Sequence, residues 1–243
     1  MQYGDVRRLA VVLALALPST AAATAIDEAT RGRTAGEVAV ERLVRHGVAV
    51  YCADRNSRLV ALTFDDGPGV YSRRIAAALR RGHARATFFV VGERLTWWRG
   101  ALRAEASVGV IGDHTWTHAR LAGLDADGLR SEIGRTRAAE IERTGRRIML
   151  FRPPYGVRTG ASDAYVRRIG MAQVLWDVAD SAAGIHGGSI VLLHETRPQT
   201  LPLLRAILRD LRRRGLRAVT VPELLANAPP SWTRDARGLR TAC

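Results

Sequence analysis

Two adjacent carboxylates, two histidines four residues apart, one arginine and one isolated histidine are the residues through which this sequence could do chemistry. Asp65 and Asp66 stand in Thr63-Phe64-Asp65-Asp66-Gly67-Pro68. Side by side at the end of an apolar run, they repel one another and lose solvation, so they require a cation, a proton or a basic partner. The plain alternative is a surface turn, because Asp-Gly and Gly-Pro are common turn dipeptides. In His114-Thr115-Trp116-Thr117-His118 the i,i+4 spacing on one helical turn aims both imidazoles at one point. With a carboxylate, such a pair makes a three-ligand metal site with positions open for water and substrate. In Phe151-Arg152-Pro153-Pro154-Tyr155-Gly156, Arg152 offers a planar fork to a carboxylate. The two prolines hold the next backbone extended, so that the N–H of Tyr155 can point into a site. Ser189-Ile190-Val191-Leu192-Leu193-His194-Glu195 delivers one histidine to the end of an apolar strand, which by itself is more often a structural arrangement. His46, His83 and His186 lack such company and read as structural.

These residues need elements to position them. From Leu59 onward, apolar runs at 59–64, 86–91, 109–113, 148–152, 172–177, 189–194 and 217–220 read as strands. Stretches of helical period at 71–81, 97–106, 125–143 and 199–214 lie between most of them. A repeated β/α alternation places the strands parallel, in an open doubly wound sheet or in a barrel. Every candidate side chain then falls at the carboxyl end of a strand, where parallel α/β folds gather their sites. One link is irregular: residues 178–188, with Ser181-Ala182-Ala183-Gly184 and Gly187-Gly188, discourage a helix and barely reach the ~10–12 residues of a usual crossover.

A chain of 243 residues accommodates one ordinary domain, and its 47% hydrophobic and 25% charged residues exclude disordered and collagen-like classes. The net charge of +14 comes from arginines spread over helix faces without interleaved aromatics, so nucleic acid is not an expected partner. Arg7 and Arg8, the apolar run Leu9–Leu17 and the small residues Ala21-Ala22-Ala23-Thr24-Ala25 read as a secretory signal peptide over 1–25. The run is too short to span a bilayer, so no stable membrane insertion is expected after cleavage; an uncleaved anchor is the alternative. Residues 26–56 read as an N-terminal extension with a short helical pattern at Gly36–His46. In an exported protein Cys52 and Cys243 either pair, tying the ends of the domain, or remain thiols.

TFDDGP, HTWTH, FRPPYG and IVLLH, in this order, resemble the first, second, third and fifth motifs of the polysaccharide deacetylases, carbohydrate esterase family 4 with its NodB homology domain. The resemblance spans Leu59–Leu225 and gives a deacetylase domain over 57–228 with a tail at 229–243. It implies a distorted (β/α)7 barrel and metal-dependent hydrolysis of N-acetyl or O-acetyl groups on a polysaccharide; together with the signal peptide, the leading expectation is a secreted enzyme acting on N-acetylglucosamine polymers, peptidoglycan or chitin, with a divalent metal, zinc first and cobalt possible. By position, Asp65 resembles the catalytic base, Asp66, His114 and His118 the metal ligands, Arg152 the partner of the base and His194 the general acid. Tyr155 would offer its N–H to the oxyanion, Leu192 would line the acetyl pocket and Trp176 would contact substrate. The fourth motif departs: an ungapped alignment puts Ala179 and Ala182 where the family has aspartates, and Ala183 in place of its tryptophan. Asp177 or Asp180 is left to partner His194, or nothing is. The alternatives are therefore an acetylxylan esterase with the same machinery, and a catalytically weakened wall-binding homologue.

Overall fold

The computed structural model describes residues 33–235 and 238–242. Residues 1–25, expected to be a signal peptide, lie outside them. Eight parallel strands build one curled sheet: β1 (Leu59–Gly67), β2 (Ala86–Val90), β3 (Gly109–Asp113), β4 (Leu150–Phe151), β5 (Ala172–Gln173), β6 (Val178–Ala179), β7 (Ile190–His194) and β8 (Arg217–Val219). Seven run in the order β5-β4-β3-β2-β1-β7-β6, and β8 pairs with the first residues of β1. This is the distorted (β/α)7 barrel.

β1 reads as a continuous apolar run up to Asp65 because both of its faces are covered. Its two-residue period divides two cores. Val60, Leu62 and Phe64 face the outer helices, whereas Leu59 and Ala61 face the interior with Phe89, Leu150, Val174 and Ile190. The outer helices follow the helical period: Thr200–Arg213 buries Leu201, Leu204, Ile207 and Leu211, and Ser72–Arg81 buries Ile75, Ala76, Ala78 and Leu79. No helix among the described residues is long and apolar enough to cross a membrane.

Two expectations change. The segment read as an extension packs in the same compact unit as the barrel from Thr34 onward. Helix Ala35–His46 buries Val40 and Leu43 in the interior core with Leu224 and Leu225 of helix Val221–Asn227. The chain after it joins strand ends: Val50 N–H donates to Gln173 O, Leu175 N–H to Val50 O and Ala53 N–H to Gly188 O. The tail forms a hairpin, β9 (Trp232–Asp235) with β10 (Gly238–Thr241), whose Thr241 Oγ1 accepts from the N–H groups of Tyr51 and Cys52. Boundaries at 57 and 228 thus cut through shared packing. Cys52 is disulfide-bonded, and Cys243, its expected partner, lies outside the described residues.

The second change concerns the irregular link. Of the run 172–177 only Ala172–Gln173 pairs as a strand, β5, and a further short strand, β6, begins at Val178 and lies parallel against β7 through Val178↔Val191 and Ala179↔Leu192. Residues 180–189 make the crossover without a helix, using positive φ at Gly184 and Gly188.

Candidate active site

Register sets the site. Asp65 is the pairing partner of His194 across β1 and β7, Val90 of Asp113 across β2 and β3, and Asp113 of Phe151 across β3 and β4. One step further along the chain stand His114 and Arg152, so the candidate residues gather at one end of the barrel.

Asp65 is 3% exposed, and Arg152 is wholly buried beside it. The guanidinium donates to Asp65 Oδ1 at 2.7 Å, Thr63 Oγ1 at 2.7 Å, Val174 O at 3.0 Å and Leu175 O at 2.9 Å. Its carbon lies 4.2 Å from the centre of the Phe89 ring. The guanidinium of Arg152 thereby joins β1 to the chain following β5. Burial raises the Asp65 carboxyl above the ordinary carboxylate range, with Arg152 opposing the shift. A carboxylate so raised accepts a proton more readily, as a general base must.

Asp66, with φ +67°, turns away from Asp65 and towards the histidines. Its Oδ1 lies 3.4 Å from His118 Nε2 and 3.7 Å from His114 Nε2. One ligand atom from each of Asp66, His114 and His118 falls within 4.8 Å of the others. His114 Nδ1 donates to the carbonyl of Arg152 at 2.7 Å, which leaves the Nε2 lone pair facing Asp66. Burial, then the neighbouring His118, pushes the His114 pKa down to about 3, so the ring stays neutral as ligation requires. This donor set of two imidazoles and a carboxylate fits a divalent ion of the zinc type.

The helical turn expected for the histidine pair is absent. Residues 114–118 form a loop with φ +68° at Thr115 and +62° at His118, and the imidazole rings lie 4.9 Å apart. Side chains hold the loop instead. Asp113 accepts from Thr115 N–H, and Glu132, within the π-helical turn Arg130–Gly134, accepts from the N–H groups of Trp116 and Thr117 and the Thr117 hydroxyl. Sequence reading missed Glu132. Its only signal was a charged residue within a helical run next to the motif.

On the other side of Asp65, His194 Nδ1 lies 3.0 Å from Asp180 Oδ2, which also accepts from Arg197 Nη1 at 2.7 Å. The open question of the fourth motif is thereby answered: Asp180 reaches His194. Asp177 is engaged elsewhere, accepting from Ile190 N–H and Ser189 Oγ and approaching His186. Ala179 is exposed and Ala182 packs against the outer core. Leu192, buried and two residues before His194, shares the face of β7 that carries it. Trp176 packs on Gly156, where a Cβ would come within 2.9 Å of its ring, and lies 5.5 Å from the Arg152 guanidinium. Tyr155, with φ +61° and 53% exposed, sets its ring 4.8 Å from that of His118, and the Arg120 guanidinium covers the ring at 4.1 Å.

A profile of the polysaccharide deacetylases matches residues 53–174. A peptidoglycan-N-acetylglucosamine deacetylase of Bacillus cereus is 32% identical over 200 residues, 74% of this chain and 93% of the relative. The corresponding Listeria monocytogenes enzyme is 29% identical over 186 residues, 70% of this chain but 39% of its own length. The chain therefore spans only about two fifths of that longer relative. In three dimensions, a family 4 carbohydrate esterase from Bacillus anthracis superposes with a TM-score of 0.69 at 28% identity, covering 76% of this chain and 90% of the esterase. Motif order, strand register and these likenesses agree, and the chain belongs to the polysaccharide deacetylase family.

Proposed function

We propose that the protein is a secreted, zinc-dependent hydrolase that removes acetyl groups from N-acetylglucosamine polymers, peptidoglycan before chitin. The observation that carries this reading is the placement of Asp65 between the Asp66–His114–His118 cluster and His194. Asp65 Oδ1 is committed to Arg152, while Oδ2 points to the His114 side at 3.7 Å. That free oxygen takes the proton of the attacking water, and Arg152 fixes its direction. Asp66, His114 and His118 would hold a divalent ion, which when bound would supply polarisation of the acetyl carbonyl and a lower pKa for water. The Tyr155 N–H donates to the developing oxyanion, and Leu192 provides apolar surface for the methyl group. His194, its ring held by Asp180, gives a proton to the departing amine.

Export through a leader at 1–25 would bring this chemistry to the cell wall. Asp180 beside His194 favours an active enzyme over a weakened wall-binding homologue. Acetylxylan remains the competing substrate because the same groups serve ester hydrolysis. Acetate release from peptidoglycan, chitooligosaccharides and acetylxylan, compared with added zinc or cobalt, tests the reading. Release from the N-acetylated polymers is expected; release from acetylxylan alone would reassign the substrate, and release from none would overturn the function.

A further inference from the structure

Behind the base loop lies a second pair of carboxyls that the reaction above does not use. Glu195, next to His194, and Glu105, on helix Arg99–Ala106, are both wholly buried, as is Ser72 between them. Gly69 N–H donates to Ser72 Oγ at 2.7 Å, and Ser72 Oγ donates to Glu195 Oε2. The Glu105 carboxyl neighbours Ser72 and Glu195, yet neither of its oxygens has a hydrogen-bond partner among the described residues. Among the described residues no cationic side chain pairs with either glutamate. Glu195 Oε1 likewise receives no hydrogen bond.

Two ionised carboxylates cannot persist in such a place. Each buried charge without a counter-ion carries a heavy desolvation penalty, and the bare oxygens add to it. A proton between the two carboxyls removes one charge and supplies the missing donor, as in other close carboxylate pairs. In line with this, burial raises Glu105 to about 7 and moves Glu195 well above the usual range.

The position of Glu195 gives the pair a purpose. Its N–H donates to Asp65 O at 3.0 Å, and its carboxyl fills the space beside Gly67, where a Cβ would come 1.7 Å from Oε1. Glycine at 67 is thus required by the close approach of this carboxyl. Through Ser72 the carboxyl also reaches the backbone at Gly69. We propose that Glu195, as a neutral group sharing a proton with Glu105, is a positioning residue that clamps the Asp65–Gly69 loop to the end of the strand carrying His194. The proposal rests on the deacetylase reading for its effect on turnover; the shared proton does not.

Four variants and one spectrum test it. Glu195→Gln keeps shape, neutrality and both hydrogen-bonding capacities, and retains most of kcat. Glu195→Ala removes the clamp and lowers kcat by about tenfold to a hundredfold with KM unchanged, the scale expected when a reacting group is displaced by about 1 Å. Ser72→Ala cuts the link to Gly69 and lowers kcat in the same sense, which decides the matter if Glu195→Ala does not fold. Loss in Glu195→Gln as deep as in Glu195→Ala, or wild-type kcat in Ser72→Ala, overturns the proposal. Independently of turnover, the infrared spectrum near neutral pH contains a protonated-carboxyl band that the Glu105→Gln/Glu195→Gln protein lacks; identical spectra in that region overturn the shared proton. Absence of acetate release by the wild type would sink the proposed function and leave this spectral result standing.

Discussion

Asp65 and His194 are pairing partners on neighbouring strands, yet their own partners hold them in different ways. Arg152 is wholly buried and spends its donors on Asp65, Thr63 and two backbone carbonyls. Asp180, with its side chain 32% exposed, holds His194 from a helix-free crossover and is shared with the half-exposed Arg197. In the proposed reaction Asp65, as the base, must keep one direction towards the attacking water. His194, as the proposed acid, would meet a bulky leaving sugar, and solvent access there is compatible with that task. Burial makes the first arrangement rigid and sensitive to sequence, whereas exposure lets the second be rebuilt from a different residue.

Breaking the buried partner has the largest effect. Arg152→Met leaves Asp65 buried without its counter-charge, and loss of one partner of a buried pair costs about 3–5 kcal/mol. Denaturant unfolding of the metal-free protein measures that loss, and acetate release falls to background. On the exposed side, Asp180→Ala lowers N-deacetylation by about tenfold to a hundredfold, part of the 10²–10⁴ that general acid–base catalysis supplies. Activated acetate esters suffer less because their alcohols leave without a full proton transfer. Stability changes by no more than about 0.5 kcal/mol, as for other surface substitutions. An Asp177→Ala variant with the same leaving-group dependence would contradict the assignment of Asp180. Arg197→Gln has the smallest effect, below about 1 kcal/mol in transition-state stabilisation and fading as salt is added; steady-state rates at two ionic strengths measure it.

What the sequence disclosed follows the same division. Asp65, Asp66, His114, His118 and Arg152 were legible because chemistry restricts the residue type and strand ends fix the place. The helical turn for His114–His118 was a wrong inference from spacing. Asp113 and Glu132 hold an irregular loop that brings the rings equally close, and spacing alone cannot distinguish the two. Asp180 stayed ambiguous because the crossover has no periodicity to set its register, and only β6 pairing with β7 brings it to His194. Residues 34–56 looked peripheral for a related reason: Val48, Val50 and Ala53 are buried by chain far away in sequence, with no repeat to announce it. Glu105 had a visible signal, a charge on the face of its helix that also buries Ala101 and Leu102.

In the proposed reaction Asp65 performs chemistry while its neighbour Asp66 holds the metal. Acetate release from N-acetylglucosamine oligomers by metal-loaded wild-type and Asp65→Asn proteins, with metal content measured on the same samples, tests it most directly. Release by the wild type, a loss of at least about 10²-fold in Asp65→Asn and equal metal in both are expected. Retained turnover in Asp65→Asn, or loss of its metal to the extent seen in Asp66→Asn, would contradict it.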